Sequence, residues 1–240
     1  MGEARIEALK AKGAAFEEEL EDRYENYAII SRLFREEIDK ELLSDLCESP
    51  AVEPVGQADF DEGYGRIRTY LDGVEDVSKK KSELAIDYVN TFLGYGTDPN
   101  SSDDEEKLRA AYPYESVYTS GKKTLTSGLV EGVTLNYRAH GFKPSKPRIL
   151  ADDHMACEFE YLQYLVGCEI AYLRDGEYEE IPALRDEELK FIEEHPAVWI
   201  DQFAAAIGQR AEVDFYPALA QMAKGWLAIE LEYLKGDSNE

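Results

Sequence analysis

From Arg23 to Leu46 the chain reads RYENYAIISRLFREEIDKELLSDL, with Tyr27, Ile30, Leu33, Ile38, Leu42 and Leu46 returning at helical steps. Residues so spaced fall on one side of an α-helix and leave the charged positions to the other. The same period recurs almost to the end of the chain. KKKSELAIDYVNTFLG carries Leu84, Tyr88 and Phe92 on one stripe, with Ser78 placed to cap it and Gly94 at its exit. FDEGYGRIRTYLDG predicts a shorter helix, weakened by Gly63 and Gly65 and closed by Gly73. TLTSGLVEGVTLNYRAHG predicts another, ending near Gly141. LADDHMACEFEYLQYL opens a helix that runs to Asp175, with Met155, Phe159, Leu162, Val166, Ile170 and Leu173 along one face. Two more meet at Pro196, and FYPALAQMAKGWLAIELEYLKG closes the chain.

No stretch alternates with period two, and the Asn-Gly hairpin dipeptide is absent. The expected fold class is therefore all-α: a single helical bundle domain over 1–240, of about eight to ten helices. FKPSKPRIL, near 142–149, is a Pro-containing connector that allows the alternative of two lobes. YGTDPNSSDDEEKLRAAYPYES reads as an acidic loop with one short helix at most.

Charge narrows the partners. Asp and Glu total 51 against 26 Lys and Arg, a net −25, which repels nucleic-acid phosphates and anionic lipid. Such an excess attracts a cationic partner, or it serves solubility. Three cysteines, Cys47, Cys157 and Cys168, show no CxxC spacing and read as small buried apolar residues rather than a disulfide framework. The first residues hold no apolar signal region, and no apolar run is long enough to span a bilayer. The expected location is the cytoplasm, without membrane insertion.

Catalytic chemistry finds little support. Only three histidines occur. His154 and Glu158 stand at i, i+4, yet no second Glu/His pair completes a bundle metal site. Asp152 reads as the N-cap of its helix, with Asp153 favoured in the first turn by the helix dipole. Ser116, His154 and Asp153 can be nominated as a triad, but no GxSxG elbow surrounds a serine. No phosphate-binding glycine loop occurs, and no cofactor is expected. YPYESVY, Tyr112 to Tyr118, places three tyrosines beside a proline, suited either to plugging the bundle's end or to a peptide-contacting rim.

Taken in order, YAIISRLFREEIDKELLSDL, LAIDYVNTFLGYG, YPYESVYTSGKKTL and DDHMACEFEYLQYL resemble the TorD/DmsD/NarJ-like chaperones that assemble molybdenum oxidoreductases. The resemblance spans about residues 24 to 170. It implies a TorD-like all-helical cytoplasmic chaperone, not an enzyme. Its partner would be the twin-arginine leader of a molybdopterin oxidoreductase catalytic subunit, held back from export until the cofactor is inserted. It leaves monomer, domain-swapped dimer and guanine-nucleotide binding open. The family's peptide-binding positions fall here on Asp153 and His154, on Pro113 and Tyr114, and on Phe92. Two positions depart: Thr91 stands where the family has leucine, and Tyr114 where tryptophan is frequent. Both bear on the shape of the apolar pocket and hence on the client.

On that footing Asp153 and Glu115 are expected to accept arginine hydrogen bonds. His154 would orient the aspartate or bond the peptide backbone. Tyr114, Tyr118 and Phe92 would supply apolar contact. A histidine near its ordinary pKa of about 6.5 would make binding change near pH 6. The readings that remain beside this one are a metal-dependent helical-bundle enzyme and an acidic adaptor for an unrelated basic protein.

Overall fold

A computed structural model describes residues 2–94, 110–120, 127–145 and 150–238. Every regular element among them is helical: α1 (Gly2–Lys12), α2 (Ala14–Arg35), α3 (Lys40–Glu48), α4 (Ala58–Leu71), α5 (Val77–Tyr88), α6 (Glu115–Thr119), α7 (Ser127–Ala139), α8 (Met155–Asp175), α9 (Ile181–Glu194), α10 (Pro196–Arg210) and α11 (Phe215–Ser238). A π-turn, Val89–Leu93, extends α5. Most of the acidic loop lies outside the described residues, as does the end of the Pro-containing connector.

The long apolar stripe of 23–46 is two helices rather than one. α2 ends at Arg35, and Asp39 caps α3 by accepting the Leu42 N–H at 2.9 Å. A capping aspartate inside a continuous apolar pattern offers the backbone an alternative to one more turn. The cap of α5 is Asp76, whose side chain accepts from Lys79 N, two residues ahead of the expected Ser78.

Two antiparallel pairings organise the bundle. α2 lies along α8, from Arg35 paired with Glu160 at 2.8 Å to Arg174 paired with Glu17 at 2.6 Å. Between those ends Ser31 Oγ donates to the Ala156 carbonyl at 2.7 Å, and Tyr27 packs edge-on against Phe159. α4 crosses α11 so closely that a Cβ on Gly63 would meet Met222 N at 2.4 Å, and one on Gly225 would meet Phe60 N at 2.1 Å. Glycine at both positions is what lets the backbones touch.

A buried charge network ties α2, α8, α9 and α11 together. Arg23 donates to Glu169 at 2.9 Å, to Glu230 at 2.7 Å and to Glu188, while Arg185 donates to Glu169 at 2.7 Å. Burial and the neighbouring carboxylate of Glu169 push the Glu188 carboxyl well above its ordinary value, the Arg23 charge notwithstanding. Glu169 bridges the two guanidiniums, Glu230 pairs with Arg23 and Asp237 with Arg185 at 3.0 Å, the pairing that buried charge requires. Arg5 extends this network from α1 to Asp186 and Asp237. Of the cysteines only Cys157 is buried; Cys47 and Cys168 are half-buried, so the expectation of three buried thiols holds for one.

Candidate functional site

The two stretches YPYESVY and DDHM, forty residues apart in sequence, lie side by side. Tyr114 and His154 form an isolated antiparallel bridge. Around it Met155 N donates to the Pro113 carbonyl and Glu115 N to the Asp153 carbonyl, both at 2.9 Å. The two rings of the bridge meet edge to face at 4.9 Å. Extended backbone at Tyr114 comes just before the single-turn helix α6, whose first residue is Glu115.

The helix opened by DDHM begins two residues later than a cap at Asp152 would place it. His154 is the N-cap: its Nδ1 accepts the Ala156 N–H at 3.0 Å. Asp152 instead accepts the Thr134 hydroxyl at 2.6 Å, so its expected cap role passes to the histidine. Capping fixes the tautomer, because an accepting Nδ1 carries no proton. Burial, with the nearby Arg35 charge, pushes the His154 pKa down to about 3. The ring therefore stays neutral through pH 6, and the expected change of binding there does not come from His154. The occupied Nδ1 also removes it as a base for Ser116.

Asp153 is wholly buried. Its Oδ2 accepts Ser116 N at 3.1 Å, and its Oδ1 has no partner among the described residues. Burial raises its carboxyl above the ordinary value, with the hydrogen bonds at Ser116 opposing and the Glu115 charge adding. Glu115 is committed to His195, whose Nδ1 lies 3.0 Å from its Oε2. Asn136 Nδ2 stands 3.1 Å from the other ring nitrogen, so the amide donates there and the ring N–H points to the glutamate.

Glu158, one turn into α8, completes a buried carboxyl cluster. Trp199 Nε1 donates to its Oε2 at 3.2 Å. Burial, then the charges of Glu115 and Asp153, push its carboxyl well above the ordinary value. Its surroundings, burial and two neighbouring carboxyl groups, thus disfavour the charged form. No group of three or more His, Cys, Asp and Glu among the described residues is arranged to hold a metal ion.

The remaining site residues converge on α10. Tyr118 stacks on Trp199 at 5.5 Å and meets Phe203 at 5.9 Å. Phe92, set by the π-turn, meets the same Phe203 at 6.0 Å and Tyr216 at 5.1 Å. All seven nominated residues thus share one region, but Phe92, Pro113, Glu115, Asp153 and His154 are interior, and only Tyr114 and Tyr118 reach the surface in part. Sequence reasoning missed His195, Asn136 and Trp199, which form the floor beneath the two motifs. The one signal for them was His195-Pro196 at the junction of two helical patterns.

Comparison with known proteins decides the family. The profile described as "Nitrate reductase delta subunit" matches residues 56–205, more than half of the chain. The chain belongs to the nitrate reductase delta subunit family. Similarity continues beyond the profile. The protein named Chaperone protein TorD from Shewanella pealeana is 26% identical over 224 residues, covering 89% of this chain and 90% of that one. Its namesakes from Vibrio vulnificus and Vibrio parahaemolyticus are 23% and 25% identical, each over 90% of this chain and 96% of theirs. As a member of this chaperone family the protein is not an enzyme. No helix among the described residues is long and apolar enough to cross a membrane.

Proposed function

We propose that the protein is a cytoplasmic chaperone for a molybdenum-containing oxidoreductase. It binds the twin-arginine leader of the catalytic subunit and holds that subunit back from export until cofactor insertion and folding are complete. The observation that carries this reading is the similarity to chaperones named TorD across about nine-tenths of both chains. The net charge of −25 supports it, since a leader brings guanidinium groups to the surface it meets.

In this reading the chain acts as one chaperone domain, and the two paired motifs form its recognition region. Tyr114 and Tyr118 offer ring surface, with Pro113 and Phe92 packed behind them. The Oδ1 of Asp153, which has no partner among the described residues, is the acceptor assigned to an arginine. Glu115 is the second acceptor once released from His195, and His154 keeps the aspartate in place through its cap. Because Asp153 is buried, the arginine reaches it only when the 113–116 segment parts from 153–155.

Affinity capture of the tagged protein from its native host tests the assignment. A molybdenum oxidoreductase subunit that still carries its leader is the expected companion. Capture of the processed subunit, or of unrelated basic proteins in its place, would rule the reading out.

A further inference from the structure

Away from the two motifs, α2, α3, α4 and α11 enclose an apolar groove of about 440 Å³. Ile29 and Leu33 form its α2 side, Phe60 and Ile67 its floor on α4, and Val52 its outer wall. The volume lies within the ~300–1,000 Å³ of pockets that enclose compact ligands.

The outer wall is built rather than loose. The Tyr64 hydroxyl accepts the Val52 N–H at 3.2 Å, and Asp61 accepts the N–H groups of Val55 and Gly56 at 2.8 and 2.9 Å. These bonds hold the segment between α3 and α4 open with its apolar side chains uncovered. Val52, which lines the groove, is 58% exposed, which costs hydrophobic free energy that an occupant would recover.

The rim supplies the sign of that occupant. Asp22 and Glu25 stand at i, i+3 on α2, both exposed and both lining the groove. Their neighbours Glu17 and Glu21 are taken by Arg174, whereas Asp22 and Glu25 enter no ion pair among the described residues. An apolar trough edged by two uncommitted carboxylates matches a segment with apolar side chains following a guanidinium.

We propose that this groove binds the apolar stretch of a cationic client leader, with Asp22 and Glu25 receiving an arginine at its edge. The inference rests on the leader-binding reading above and gives it a second, already open surface.

The test uses the full chain and a fluorescein-labelled peptide carrying an arginine pair and the Leu/Ala-rich segment that follows it. Anisotropy is measured for wild type, the Asp22→Asn/Glu25→Gln double variant and Val52→Asp, all at exposed positions and checked by circular dichroism. A roughly tenfold or greater loss of affinity is expected for each, the size of one charge-assisted contact or one anchor. In parallel, p-benzoylphenylalanine at position 52 is expected to capture the peptide on irradiation, and the same probe at exposed Glu179 is not. Wild-type binding with unchanged variant affinities and no capture at 52 would overturn the groove and spare the leader reading. A wild type that binds no peptide would overturn both. Capture of a second copy of the chain at 52 would make the groove a self-interface and overturn the proposal.

Discussion

Glu158 is the residue whose chemistry departs furthest from its appearance in the sequence. Spaced four from His154 it suggests a shared ligand face, yet its carboxyl meets Trp199 and faces Glu115 and Asp153 in the interior. Its folded pKa is raised, so the native state holds a proton that the unfolded chain releases above its ordinary value of 4.5. Its contribution to stability is complete below that value and is lost as pH rises toward the folded pKa. Glu158→Gln imitates the protonated form. Urea denaturation across pH 5 to 8 is expected to show the variant losing less stability than wild type as pH rises, with near-equal stability at the acid end. A steeper loss in the variant would mean that Glu158 is ionised. His154 runs the other way: with its pKa depressed to about 3, its share is present above 6.5 and lost as pH falls through that interval.

What was legible at this scale was pairing rather than burial. The resemblance brought Tyr114, Pro113, Asp153 and His154 together, and the bridge between Tyr114 and His154 joins them. The commitments of Glu115 and Glu158 beside them were not legible, because their partners are His195, just before α10, and Trp199 on it, some forty residues beyond the start of α8. No local spacing reveals a contact of that range. Nor could spacing choose between Asp152 and His154 as the cap, since both can accept a backbone N–H.

At the scale of elements, helical periodicity identified most helices and little of how they meet. Gly63 and Gly65 looked alike in sequence, two weak points in one short helix. They are opposites. Gly63 sits against the backbone of α11, whereas a Cβ at exposed Gly65 would meet nothing within 4 Å. Gly65→Ala is expected to stabilise the protein by about 0.5–1 kcal/mol through helix propensity alone. Gly63→Ala forces α4 away from α11 and is expected to cost about 1–3 kcal/mol or more, as overpacking does. Chemical denaturation of the pair checks both signs at once, and equal effects would contradict the crossing. The break between α2 and α3 has the same lesson. An apolar stripe that continues through residues 36–39 cannot show that Asp39 ends one helix and begins another.

For the whole molecule, the all-α class followed from pattern and from the absence of strand signals, and the family from the ordered set of motifs. The acidic excess could not be apportioned in advance. Part of it turns inward, as Glu169, Glu188 and Glu230 around Arg23, and Glu115, Glu158 and Asp153 around α6. Part remains outward, as Asp22 and Glu25 beside the apolar groove, where a cationic segment can meet it. That division follows from which carboxylates find a buried arginine, histidine or proton, information held in tertiary contacts alone.

Isothermal titration of the purified chain with a twin-arginine leader peptide from a molybdoenzyme tests the central claim most directly, with a second titration of the same peptide bearing Ala-Ala in place of Arg-Arg. Saturable binding of the first is expected, weakened at least tenfold in the second and falling with added salt as charge pairing requires. Equal affinity for the two peptides, or no heat from either with the folded protein, would contradict it.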